Sequence, residues 1–242
     1  MKKKQSVIID ALCNRITSNE FPYSNELVGI LLTGSFAQGK SHPNSDIDIH
    51  VIIASNISFV KHICQVYENR IVQIQIYSLL KFKNDCMKHD RKRPAIYACK
   101  LLYDVNGQCS EYLNHSKKYL DEGPERLTAQ EKQILLTKIK TEIYTAEGLI
   151  AAGNELSALL LANEMVQLVI NYYNDANHYW MTNNNYLFNE FKEHNEELGM
   201  LAEKIIFCVV PKLKISMLKD FCRKCIPDFD KINIEYCYEV QI

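Results

Sequence analysis

The segment from Gly34 to Ile49 constrains this chain more than any other. It reads Gly-Ser-Phe-Ala-Gln-Gly-Lys-Ser-His-Pro-Asn-Ser-Asp-Ile-Asp-Ile, and an apolar run lies on each side of it. Residues 27–33 before it predict a buried strand, and residues 46–53 predict a second one. The chain must therefore fold so that two strands flank a turn that contains glycine and serine.

The turn after the first strand begins at Gly34 and Ser35. Glycine lets the backbone approach a ligand closely and adopt dihedral angles that other residues avoid. Residues 36–40 predict one helical turn, whose free N–H groups would point at an anion. The Ser35 hydroxyl adds a donor and an acceptor. We therefore expect this turn to bind phosphate.

Two aspartates, Asp46 and Asp48, begin the second strand. Residues two apart on a strand face the same side, so both carboxylates project together, while Ser45 caps the turn into the strand. Two carboxylates this close repel each other unless a cation lies between them, and Mg²⁺ prefers such oxygen ligands together with substrate phosphates. A phosphate site beside a metal site indicates phosphoryl or nucleotidyl transfer.

The pattern Gly34-Ser35-x-Ala37-x-Gly39-x(5)-Ser45-Asp46-Ile47-Asp48 resembles the signature of the DNA polymerase beta-like nucleotidyltransferase superfamily. It is most similar in style to small bacterial members that modify kanamycin, streptomycin and lincosamides. The resemblance implies that Gly34, Ser35 and Ser45 bind the nucleotide and that both aspartates bind Mg²⁺. It also implies transfer of a nucleoside monophosphate, AMP from ATP in our expectation, to a hydroxyl. Many relatives build the site across a homodimer.

The chain departs from this pattern at one position. The superfamily usually supplies a third carboxylate from a later strand, and the matching strand here is residues 70–77, with alternating apolar side chains. Its polar positions are Gln73 and Gln75. An amide cannot act as a base and binds a divalent cation less well than a carboxylate does. Either the base comes from elsewhere, or catalysis is weakened or lost.

Glu164 is our candidate for that base. Its helical neighbours include Leu160, Leu161 and Leu168, so we expect the acid on a largely apolar face. Partial burial would raise its pKa toward the range useful for a general base. The alternative is a surface glutamate paired with a neighbour.

Charge and cysteine content limit the partners and the compartment. The 242-residue chain has a net charge of −1, so nothing draws it as a whole toward nucleic acid, and we expect a small hydroxylated acceptor instead. Its nine cysteines follow no secretory signal, which favours reduced thiols in the cytoplasm. No apolar run approaches the roughly 20 residues that span a membrane. Cys222 and Cys225 lack the further ligands that a zinc site needs.

The predicted fold class is α+β, a nucleotidyltransferase mixed sheet with helices followed by a helical bundle. We place a catalytic domain at residues 1–122 and a helical acceptor-binding domain at residues 126–242, divided by Asp121-Glu122-Gly123-Pro124. The first has a strand at 70–77 besides the two above, and by resemblance a short Leu-Tyr-Asp strand at 102–104. Its helices are predicted at 4–18, 58–68, 94–102 and 110–120. The second has helices at 128–152, 155–178, 186–193, 196–209 and 211–225, with a polar break at 182–185.

Three functions stay open from the sequence. The first is an enzyme that adds a nucleotide to a small hydroxylated molecule, such as an antibiotic. The second performs the same chemistry on a protein or tRNA. The third is a nucleotide-binding regulator without catalysis, which the glutamines at positions 73 and 75 favour.

Overall fold

The computed structural model describes residues 2–91, 95–181 and 184–234. Pro94, the predicted start of a helix, and residues 182–183 of the predicted break lie outside the described residues. The chain divides into two compact units, residues 1–122 and residues 123–242, and each is treated in turn.

The first unit is a five-stranded mixed sheet with helices. Its strand order is β3-β4-β2-β1-β5, in which β2 and β4 are parallel and the other pairs are antiparallel. The elements are α1 (Lys2–Thr17), β1 (Leu27–Thr33), α2 (Gly34–Gln38), β2 (Ile47–Ile53), β3 (Val60–Tyr67), β4 (Arg70–Ser78), α3 (Leu79–Cys86), β5 (Lys100–Asp104) and α4 (Gln108–Glu122).

The two faces of this sheet bury different side chains. On one face Ile47, Ile49 and Val51 pack into the same core as Leu12 and Ile16 of α1. On the other face the core contains the residues Leu31, Ile52, Phe82, Cys86 and Cys109. The alternation of β2 sends Asp48 and His50 to this second face, beside Ile52. The polar site therefore lies on the α3 and α4 side of the sheet.

The predicted helix at 58–68 is wrong, because these residues form strand β3. A tight hairpin turn joins β3 to β4, with φ of 45° at Glu68 and 61° at Asn69. Positive φ at both central residues gives a turn whose twist matches that of paired strands. Pairing along the whole of β4 outweighs the helical spacing of Phe59, Ile63 and Val66.

The predicted helix at 94–102 is also wrong. Only Ala95–Ala98 forms a short 3₁₀ turn, and the chain then enters β5. This strand includes the expected Leu-Tyr-Asp segment and pairs with β1, where Tyr103 lies opposite Ile30 and Leu101 opposite Leu31. The run was too short and too rich in apolar residues for its periodicity to separate helix from strand.

The second unit is helical, and together with the mixed sheet it confirms the α+β class. Thr128 and Glu131 form the predicted capping box at the start of its first helix. A core of apolar side chains joins the helices, including Ala162, Val166 and Phe221. The helices are α5 (Ala129–Ala151), α6 (Glu155–Ala176), α7 (Leu187–His194), α8 (Glu196–Phe207) and α9 (Pro211–Cys225).

Cys222 and Cys225 lie on the inner side of α9 in this core. Burial raises the pKa of both thiols, that of Cys225 to about 12. They are apolar core residues in this setting. Within the described part of the chain, every helix is too short or too polar to cross a bilayer.

Candidate active site

The pairing of β1 with β2 brings the glycine turn next to the aspartates. Thr33, the last residue of β1, lies opposite Asp48. Gly34 follows at once with φ of +64°, and a Cβ atom placed on it would come within 2.1 Å of Asp48 Oδ2. A side chain at position 34 would therefore strain the backbone and collide with the carboxylate.

Helix α2 begins at Gly34, two residues earlier than predicted. Ser35 is half-buried in its first turn, while Phe36 and Ala37 anchor the helix in the core. The helix ends at Gly39, whose φ is +71°. This short element holds the Ser35 hydroxyl at the end of β1, next to the position of Asp48.

Several contacts fix the loop between α2 and the aspartates. The buried Ser45 hydroxyl accepts a hydrogen bond of 2.9 Å from the His42 N–H, which supports its predicted role in the turn. Arg70 donates to the carbonyl oxygens of Pro43 at 3.1 Å and Ser45 at 3.4 Å. Its guanidinium carbon also lies 5.7 Å from the centre of the Phe36 ring. Arg70 thus ties the loop before Asp46 to α2 and to β4.

The setting of Asp48, including the nearby Asp46, disfavours its charged form. Burial, and next the charge of Asp46, raise the pKa of Asp48 from 3.8 to about 6. A partly buried pair of carboxylates fits a hard divalent cation such as Mg²⁺. Across the described ranges, no three His, Cys, Asp or Glu side chains cluster to hold a metal ion. Substrate oxygens or water would have to complete the ligands of a cation held here.

The third-carboxylate position is occupied by Gln73. In the parallel pairing of β2 with β4, Asp48 lies opposite Gln73, and His50 lies opposite Gln75. The Gln73 amide N–H donates to Asp46 Oδ2. The structure therefore separates the two glutamines that the sequence left open, because only Gln73 contacts an aspartate.

His50 lies on the same face of β2 as Asp48, and our sequence reasoning did not single it out. It is 5% exposed, and its Nδ1 atom has no hydrogen-bond partner. Burial, and to a lesser extent the nearby His62, lower its pKa to about 4. The alternation Asp46-x-Asp48-x-His50 was the available signal, since it places three polar side chains on one face of the strand predicted at 46–53.

Glu164 is not in the apolar setting that we expected. It lies exposed on α6, and its neighbour Leu160 is 59% exposed. The buried stripe of this helix runs through Ala162, Met165 and Val169 instead. The predicted partial burial is therefore wrong, because the helix packs through the opposite side. The proposed role of Glu164 as the base loses the physical argument that motivated it.

Comparison with known proteins agrees with this site. Residues 14–97, which contain the glycine turn, both aspartates and Gln73, match the family model of the nucleotidyltransferase domain. The match confirms that this part of the chain resembles the nucleotidyltransferase superfamily.

Among solved structures, the chain is similar to a nucleotidyltransferase-like protein from Exiguobacterium sibiricum 255-15, with 9% identity and a TM-score of 0.48. The similarity covers 87% of this chain and 73% of that chain. No curated protein gives a significant match.

Proposed function

We propose that this protein moves a nucleoside monophosphate, AMP from ATP, onto a hydroxyl of a small molecule in a Mg²⁺-dependent reaction. The observation that carries the proposal is the close contact between Gly34 and Asp48 in a nucleotidyltransferase domain. It joins a turn suited to phosphate with a carboxylate pair suited to a cation. The chemistry is assigned to residues 1–122, and an acceptor-binding role for residues 126–242 belongs to the same proposal.

In this reaction the acceptor oxygen bonds to the α-phosphorus while the bond to pyrophosphate breaks. Gly34 and Ser35 hold the triphosphate, and Asp46 and Asp48 provide the cation ligands. Bound Mg²⁺ would neutralise phosphate charge and lower the pKa of the attacking hydroxyl. Gln73 holds Asp46 in place through its amide. The contacts of Arg70 keep the loop before Asp46 in position.

The hydroxyl proton needs an acceptor, and the Gln73 amide cannot serve. The sequence alone proposed Glu164 for this base, and its exposed position on α6 adds no support. If Glu164 is the base, changing it to Gln should stop transfer while leaving ATP binding intact, which a titration with ATP and a turnover assay measure together. Full turnover in the Glu164→Gln variant would remove this residue from the mechanism.

A second candidate function follows from Gln73 itself. With an amide at the third-carboxylate position, the domain would bind nucleotide as a regulator without turnover. The two functions differ in one measurement, since a regulator binds Mg²⁺–ATP but releases no pyrophosphate.

The test uses ATP labelled at the α-phosphate, with candidate small molecules and macromolecules as acceptors. We expect labelled AMP on a small molecule and release of pyrophosphate. The Asp46→Asn and Asp48→Asn variants should lose at least about 1,000-fold in rate, because each removes charge stabilisation of the transition state. Asp121→Asn, an exposed site on α4, is the matched control and should retain the rate. Substantial turnover in either site variant would refute the assignment.

A further inference from the structure

A second row of polar side chains follows the aspartates along the same face of the sheet. It consists of His50 on β2 with Gln75 and Tyr77 on β4, and we call it the second polar row. His50 lies two residues beyond Asp48, about 7 Å along the strand. Neither the triphosphate turn nor the aspartate pair uses this row.

The three side chains of the second polar row contact one another through Tyr77. His50 lies opposite Gln75 in the strand pairing. The centres of the His50 and Tyr77 rings are 4.8 Å apart, with an interplanar angle of 37°. The Tyr77 hydroxyl donates to Gln75 Oε1 at 3.0 Å, which leaves the Gln75 amide N–H groups to donate elsewhere. The row thus offers the part-exposed Tyr77 ring and Gln75 amide beside the buried His50 ring.

The His50 ring is the unusual member of the row. It is 95% removed from solvent, yet its Nδ1 atom makes no hydrogen bond. Buried polar atoms are almost always paired, because leaving one unpaired loses hydration without replacement. Buried Ser78, at the end of the neighbouring strand β4, shows the ordinary arrangement, since its hydroxyl accepts from the N–H groups of Phe59 and Lys81. A ligand atom that pairs with His50 would remove the penalty.

The geometry of the reaction indicates which reactant that ligand is. The attacking and leaving oxygens lie on opposite sides of the phosphorus in phosphoryl transfer. The turn that would hold the leaving pyrophosphate follows β1, on one side of β2, while β4 lies on the other side. The acceptor must therefore approach from the β4 side, where the second polar row lies.

The side chains of the second polar row indicate whether its ligand is charged or neutral. Its three side chains are an imidazole, an amide and a phenol, and none carries a negative charge to bind an amine. Asp85, whose charge acts on Tyr77, is already paired with Lys81. Aromatic faces beside hydrogen-bonding groups suit a ring that carries hydroxyls.

We propose that His50, Gln75 and Tyr77 bind the acceptor, and that this acceptor is a neutral, hydroxylated ring molecule rather than a polyamine such as an aminoglycoside. The inference rests on the proposed nucleotide transfer. In it, a polar atom of the acceptor pairs with His50 Nδ1, and the acceptor ring lies against Tyr77.

The first test measures transfer of labelled AMP to myo-inositol, D-glucose and uridine as neutral probes and to 2-deoxystreptamine as a cationic one. We expect transfer to a neutral probe. The KM for that probe should rise about tenfold or more in His50→Leu and His50→Phe, since a buried hydrogen bond is lost. The KM for ATP should stay within about twofold, and His50→Asn should recover part of the loss. Transfer to 2-deoxystreptamine alone, or an unchanged acceptor KM in both variants, would overturn the proposal.

The second test needs no acceptor. An unpaired buried nitrogen contributes nothing to folding, so the urea midpoints of His50→Leu and His50→Phe should equal or exceed that of the wild type. The matched control, Ser78→Ala, should unfold at lower urea because it removes a paired hydroxyl. If both His50 variants fall as far as Ser78→Ala, His50 has a structural role and the inference fails.

A failure of the proposed acceptor site can be distinguished from a failure of the proposed nucleotide transfer. Loss of Mg²⁺–ATP binding in Asp46→Asn tests the nucleotide site without reference to the acceptor. A wild-type protein that binds ATP but releases no pyrophosphate would refute transfer and, with it, the acceptor. The urea midpoints would still report on His50 in that case.

Discussion

The two units differ in whether neighbouring groups stabilise the charge of a buried or partly buried side chain. In the first, burial and next the charge of Asp46 raise the pKa of Asp48 to about 6, so the ionised Asp48 carboxylate is destabilised by its surroundings. In the second, Lys214 is 2% exposed, and its ammonium group donates to the carbonyl oxygens of Ile206 at 3.1 Å and Cys208 at 3.3 Å. The Lys214 ammonium group thus has two hydrogen-bond acceptors, whereas the surroundings of Asp48 disfavour its charged form.

This difference separates a binding site from a structural device. Lys214 satisfies carbonyl groups at the end of α8, where a helix leaves its last acceptors unpaired. The aspartate pair and the unpartnered His50 Nδ1 instead reduce the stability of the ligand-free fold. Natural sequences retain destabilising polar groups at functional sites, where a ligand provides the missing hydrogen bond or opposite charge.

Among the changes that test this comparison between the units, the largest expected effect concerns the glycine turn. Gly34→Ala adds a Cβ atom that would lie 2.1 Å from Asp48 Oδ2, and it must shift the carboxylate. We expect nucleotide transfer to fall at least about 100-fold, since displacing a reacting group by an ångström costs about that much. The measurement is the rate of pyrophosphate release.

Gly39→Ala is the matched control for this prediction. Position 39 also has positive φ, +71°, but a Cβ atom there meets nothing within 4 Å. It carries the same backbone strain without the collision, so it should lose stability and keep most of its activity. Equal losses of activity in the two variants would show that strain, and not contact with Asp48, explains the glycine.

The next effect concerns the second unit. Lys214→Met keeps the volume but leaves the carbonyl groups of Ile206 and Cys208 without this donor. We expect a loss of about 2 kcal/mol in the free energy of unfolding, measured by urea titration of the helical signal. Lys212→Met, an exposed position on the same helix, should change it little. If the Lys214→Met protein were as stable as the wild type, the hydrogen bonds of Lys214 would not stabilise the second unit, and the two units would not differ in this respect.

The smallest effect has the opposite sign. The folded pKa of Asp48 is about 6, above the value of 3.8 for the free group. The folded state therefore favours the protonated form, and the stability of the metal-free protein should fall as pH rises from about 4 to about 6. Asp48→Asn should be more stable than the wild type at pH 7 by on the order of 1 kcal/mol, once partial exposure is allowed for.

The measurement for Asp48 is urea unfolding at several pH values without divalent cations, followed by addition of Mg²⁺. The advantage of Asp48→Asn should vanish below about pH 4, where the wild-type carboxyl is protonated in both states. Mg²⁺ should stabilise the wild type and leave Asp48→Asn unchanged. A variant less stable than the wild type at pH 7 would show that the ionised carboxylate is already well paired.

Local patterns predicted much of the fold. The strands at β1, β2 and β4 and the helices α5 to α9 follow from apolar periodicity and caps, and the structure places them close to the predicted bounds. Strand β3 was mistaken for a helix because Phe59, Ile63 and Val66 follow the helical spacing, although Val66 is exposed on the strand. The tight turn at Glu68 and Asn69 pairs β3 with β4 and so stabilises the strand. Its positive φ angles are known only from the structure.

The sequence by itself determined the class of the domain, because a glycine turn and two alternating aspartates between strands leave few other interpretations. Only the tertiary structure decided that Gln73 contacts Asp46, that Glu164 is exposed and that His50 is buried without a partner for Nδ1. The physical reason is that strand order, register and the packed side of a helix depend on contacts between distant residues. A periodic pattern predicts that a helix or strand has an apolar face, but only tertiary packing determines which residues that face contacts.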